Sequence, residues 1–171
     1  MFRPFVLIKK TLSIYLHNSS SEKKNRSMQK IITRIAEISY HKDRILRIEF
    51  PTDVYVELED TIAIHEACEL LTKGKKYLKL VIAKGTLISS KAARSYRATL
   101  KENDGRVAEA LVYKSYGNKI VFNFYITFNK PKVPTKLFSS EEKAVSWLGR
   151  FLYMTESDHL KVPIKRRKSL V

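Results

Sequence analysis

The feature that most constrains this chain is a recurring order of apolar strand and capped helix. Tyr77-Leu-Lys-Leu-Val-Ile-Ala83 is almost continuously apolar and short, the pattern of a central strand buried on both faces. Ser89 or Ser90 then opens a helix through Lys101, stopped by Asn103-Asp-Gly105. Val107–Val112 reads as the next strand and Lys136–Phe138 as a short last one. Ser139 or Ser140 caps a closing helix, with Glu141 and Glu142 in its first turn. Ala144, Trp147, Leu148 and Phe151 form its buried stripe. Parallel strands need crossovers, so the expected class is α/β, with a mixed sheet of about four or five strands flanked by helices.

The upstream half fits the same class. Ile31–Tyr40 reads as a strand, Ile45–Phe50 as its partner, and His41-Lys-Asp-Arg44 as the hairpin turn between them. Val54-Tyr-Val56 is a short extended piece after Pro51. Asp60 or Thr61 caps the following helix, whose face is Ile62, Ala67, Leu70 and Leu71, and Gly74 supplies its stop.

Charge defines the domain boundaries. The chain has 171 residues and a net charge of +16. Residues 1–27 hold six Lys/Arg and one Glu, and 159–171 hold five and no acid, which leaves a net of +6 in 28–158. Most of the basic excess therefore lies in two tails around one domain. Phe5, Ile8, Leu12 and Tyr15 recur at roughly helical spacing among Arg3, Lys9 and Lys10. That segment reads as a membrane-surface helix, a targeting peptide, or an extension upstream of a functional start at Met28. Tails of this kind bind polyanions, nucleic acid included, weakly and without sequence preference.

Catalytic and metal signatures are weak. His65-Glu-Ala-Cys-Glu69 has two ligand types on one helix face but lacks the second histidine of a zincin. Cys68 beside Leu70 and Leu71 reads as a small buried hydrophobe. Five glycines in all give no phosphate-cradling loop or nucleophile elbow. Glu57, Glu59 and Asp60 precede a helix, where capping explains them. No catalytic residue, metal ligand or cofactor site is expected. The one position with a functional hypothesis is Ser89-Ser90-Lys91, where a phosphate at a helix N-terminus would add roughly −2 charge. The alternative there is an ordinary cap worth about 1 kcal/mol.

Ala108-Glu-Ala-Leu-Val112, Asn123-Phe-Tyr125, Asn129-Lys-Pro131, Pro134-Thr-Lys-Leu-Phe138 and Trp147-Leu148 follow the same element order to the end of the domain. Over about residues 28–152 the chain resembles the STAS domain, the anti-sigma-factor-antagonist fold, and in particular the SpoIIAA-like proteins of uncharacterised function. Those last motifs look like a small Bacteroidetes-type group within that fold. The resemblance implies a bacterial, cytoplasmic, non-catalytic regulatory module that docks to a protein partner. In antagonist STAS domains a serine in an Asp-Ser-Ser/Thr-Gly motif after the central strand controls docking by its phosphorylation. Here Ile88-Ser89-Ser90-Lys91 keeps the serines but not the Asp or Gly.

On that resemblance Ser89 and Ser90 are the switch, and Lys84, Gly85, Thr86, Lys91 and Arg94 form the docking edge. Ile120–Phe128 is β-prone by composition, yet the strand-helix rhythm and the resemblance both favour a helix there. A lipid or other apolar ligand beneath that aromatic segment is the alternative function.

Overall fold

The computed structural model describes residues 29–156 apart from 42, 101–104 and 130. The readings made for 1–27 and 159–171, and for the end of the second helix at Lys101 to Asp104, lie outside those residues. The elements are β1 (Gln29–Ile32), β2 (Glu37–Tyr40), β3 (Ile45–Phe50), β4 (Val54–Val56), α1 (Leu58–Thr72), β5 (Tyr77–Ala83) and β6 (Leu87–Ser89). They continue with α2 (Lys91–Thr99), β7 (Arg106–Tyr113), α3 (Tyr116–Asn129), β8 (Thr135–Phe138) and α4 (Glu141–Leu148). A 3-10 turn, Gly149–Phe151, leads into α5 (Leu152–Glu156).

Six strands make the main sheet in the order β1-β2-β3-β5-β7-β8, and β4 and β6 form a separate two-stranded ribbon. The sheet is larger than the four or five strands expected. The difference arises at Ile31–Tyr40, which is two strands and not one. Thr33 N–H donates to Ala36 O at 2.8 Å and Ala36 N–H donates to Thr33 Oγ1 at 3.0 Å, closing a tight turn inside the apolar run. The second hairpin turn falls where expected, with Arg44 at φ 60° and its N–H donating to His41 O.

β1, β2 and β3 pair antiparallel, while β3, β5, β7 and β8 are parallel. Each parallel step moves across the sheet in one direction, so crossovers of one hand place α1, α2 and α3 on one face. Ile48, Val81, Leu111 and Leu137 lie opposite one another across four strands and meet those helices. Ile45, Leu78, Leu80, Ala108 and Ala110 point to the other face, where Ala144 and Leu148 of α4 cover them. The ambiguous segment Ile120–Phe128 is helical: α3 buries Phe122 and packs Tyr125 and Ile126 on the core. Local β propensity loses there because a parallel strand at Thr135–Phe138 needs the crossover.

α1 begins at Leu58, earlier than a cap at Asp60 or Thr61 would allow. Asp60 instead reaches back from the first turn and accepts the Glu57 N–H at 2.9 Å. Its other partner is Arg34, whose Nε donates to Oδ1 at 2.9 Å and whose Nη2 donates to Oδ2 at 2.5 Å. Lys73 (φ 52°) and Gly74 (φ 72°) together turn the chain out of α1.

Candidate functional site

The ribbon of β4 and β6 positions the start of α2. Val56 and Leu87 point inward and are buried, so the alternate residues Tyr55 and Ile88 point outward. These two are register partners and remain 54% and 50% exposed. A paired apolar patch on so short a ribbon serves no core. On the β4 side an open cleft of about 640 Å³ is lined by Arg34, Asp53, Tyr55, Glu57, Glu59 and Asp60. On the β6 side the chain passes through Ser89 into α2.

The two serines have different jobs. Ser90 Oγ accepts the Ala93 N–H at 3.1 Å and is the cap of α2. Ser89 is held from the helix: Arg97 Nη2 donates to Ser89 Oγ at 2.8 Å, and Arg94 Nη1 donates to Ser89 O. Two guanidinium groups thus converge on Ser89, with exposed Lys91 in the first turn. A positive helix end with two arginines attracts negative charge.

The expected docking edge is only partly assembled. Arg94 and Lys91 stand with the serines. Lys84 instead pairs with Glu49 on β3. Gly85 and Thr86 are tied to the loop before β4, where Thr86 N–H donates to Asp53 Oδ1. A Cβ on Gly85 would lie 2.3 Å from Asp53 N, so the position admits only glycine without a backbone shift. Asn118 secures the same loop from α3. Fully buried, it accepts the Leu87 N–H at 3.0 Å and donates from Nδ2 to Gly85 O at 2.5 Å and Ala83 O at 3.4 Å.

Tyr55, Ile88 and Arg97 were not among the residues singled out from sequence. Their roles depend on the pairing of β4 with β6 and on a contact across eight residues. A signal existed only for Ile88, an apolar residue beside the serine pair.

A second polar cluster lies deeper. Glu109 is 3% exposed. It sits opposite Lys79 in the sheet and forms ion pairs with Lys79 (3.3 Å) and Arg106 (2.8 Å). Tyr125 OH donates to its Oε2 at 3.2 Å. Burial pushes the Glu109 carboxyl up, but Lys79 and Arg106 outweigh it and hold it below its ordinary range. Burial first, then the Glu109 charge, push the Tyr125 phenol up to about 12. The cluster ties β5, β7 and α3 together, and every member has an assigned structural partner.

Cys68 is buried in the main core beside Leu71, whereas Leu70, read as part of the same face, turns outward to solvent at 54% exposure. His65 Nε2 lies 3.5 Å from Glu69 Oε1. Among the described residues no group of three or more His, Cys, Asp and Glu is placed to hold a metal, and no helix is long and apolar enough to cross a membrane.

Fold and site together define a single mixed-sheet α/β domain that presents an apolar pair and a positive helix end on one surface. The chain belongs to the family described as a domain of unknown function, DUF7793, whose model matches residues 39–152. No curated protein matches it. Among solved structures it is similar to an uncharacterised protein of the DUF3478 family with a SpoIIAA-like fold from Shewanella loihica PV-4. Identity is 15%, the alignment covers 71% of this chain and 92% of that one, and the TM-score is 0.46. The order of elements expected from the sequence is present: opening hairpin strands, helix, central strand and serine-capped helix.

Proposed function

We propose that this domain is a non-catalytic regulatory module that docks to a protein partner through Tyr55, Ile88 and the start of α2. The observation that carries the reading is the exposed Tyr55–Ile88 pair, set beside Ser89 and its two arginines. Apolar and aromatic side chains with arginine nearby are the composition of interface hot spots. Flanking acidic residues Asp53, Glu57 and Glu59 on one side and Lys91, Arg94 and Arg97 on the other would set orientation and partner choice.

Phosphorylation of Ser89 suits this surface. Its hydroxyl already lies within hydrogen-bond reach of Arg97, so a phosphate there would meet a cation without rebuilding the loop. Ser90 is the poorer acceptor, because its hydroxyl caps α2. Affinity capture of the full chain from native lysate tests the reading, with Ile88→Lys and Arg94→Glu as comparators. A protein retained by the unmodified chain and lost with both variants supports the surface. A partner list unchanged by both variants rejects it.

The alternative of a ligand beneath Ile120–Phe128 draws less support, since Phe122, Tyr125 and Ile126 already pack from that helix onto the sheet.

A further inference from the structure

We infer that the outer side of α3 is a docking surface for an anionic membrane. Tyr116, Ile120 and Phe124 recur every four residues, so they stack along one side of the helix. They are 76%, 56% and 57% exposed, and Val121 lies exposed beside them. The opposite side carries Phe122, Tyr125 and Ile126, which meet the core. A helix that served only to cover the sheet would turn polar residues outward. α3 keeps a second apolar stripe facing solvent.

The surrounding charge selects what covers that stripe. Between Glu109 and Glu141 the chain has five lysines and no acidic residue. Lys114 and Lys119 lie at the start of the stripe and Lys132 follows its end, all exposed. An apolar stripe on a segment with five lysines and no acid of its own matches the boundary of a bilayer that carries anionic headgroups. The apolar side chains enter the acyl boundary, the lysines meet the phosphates, and no carboxylate on this segment opposes them. Ile120 and Val121 weigh against nucleic acid, which rewards stacking on aromatic rings and not aliphatic contact. At 14 residues α3 is too short to span a bilayer, so it lies along the surface.

The test is co-sedimentation of the full chain with phosphatidylcholine vesicles, with and without phosphatidylserine. The basic tails contribute attraction of their own, so Ile120→Glu isolates the helix. Ile120 is exposed, and circular dichroism checks that the variant keeps its fold. The expected result is binding to the phosphatidylserine vesicles that weakens with salt and is roughly tenfold weaker for Ile120→Glu. A Tyr116→Trp variant should show blue-shifted emission on the same vesicles. Absence of sedimentation overturns the proposal. So does equal sedimentation of the unmodified chain and Ile120→Glu without an emission shift, which would assign all attraction to the tails. Binding to nucleic acid alone, weakened by Ile120→Glu, would also overturn it.

Discussion

Arg97 reaches back eight residues along the chain to donate from Nη2 to Ser89 Oγ at 2.8 Å, while Ser90 next door caps the same helix. The two adjacent hydroxyls therefore differ in what their loss does. Ser90→Ala should lower stability by about 1 kcal/mol, the usual cost of an N-cap. Ser89→Ala should change it by less than about 0.5 kcal/mol, as expected for a solvated contact. Ser89→Asp should be neutral or slightly stabilising, because a carboxylate there meets Arg97 and the helix N-terminus. Urea denaturation of the three variants measures these differences. Equal losses for Ser89→Ala and Ser90→Ala would contradict the division of roles.

Asn118 is the staple between α3 and the loop that carries the site. Asn118→Ala would leave the buried Leu87 N–H and the Gly85 carbonyl without this partner. The expected cost is about 2–3 kcal/mol. Asn118→Asp should cost more, since it replaces a donor with an acceptor opposite two carbonyl oxygens. Thermal and chemical denaturation should rank them in that order.

Gly85→Ala should destabilise by about 1–3 kcal/mol. Its methyl would fall on the backbone of Thr52 and Asp53, and backbone cannot rotate aside as a side chain can. If Gly85→Ala matches the unmodified chain in denaturation, the close approach is not real.

The cluster around Glu109 sets the pH response. Its folded pKa lies below the ordinary value of 4.5. The stability it contributes is therefore present above that value and is lost as pH falls through the lower, folded one. Tyr125 acts at the other end. Its pKa is raised from 10.0 to about 12, so its contribution is present below 10 and is lost as pH rises toward 12. Glu109→Gln should cost about 3 kcal/mol at neutral pH, because Lys79 and Arg106 lose their buried counter-ion. It should also flatten the acid limb of the stability profile. Spectrophotometric titration should find one phenol ionising near 12 that Tyr125→Phe removes.

Much of the architecture was legible locally. The apolar run Tyr77–Ala83 and the serine caps at Ser90 and Ser140 fall where the residues placed them. Misreadings came where the deciding partner was distant in sequence. Ile31–Tyr40 looks continuous, and only the Thr33–Ala36 turn splits it. Asn118 has no local signal for its role, since its side-chain bonds go to residues more than thirty positions away. Lys79 and Glu109 offered a readable clue. Each is a charge within a strand that is otherwise apolar around it, and the sheet brings the two opposite each other. The site was least legible, because Tyr55 and Ile88 meet only through the parallel pairing of β4 with β6.

The most direct measurement places a photo-cross-linking residue at Ile88 of the full chain, with Leu70 on α1 as an equally exposed control. After irradiation in native lysate, the docking surface is expected to give a discrete cross-linked protein at Ile88 and none at Leu70. It should weaken when Arg94→Glu is added. No product at Ile88, or the same product at both positions, would contradict a docking site at the start of α2.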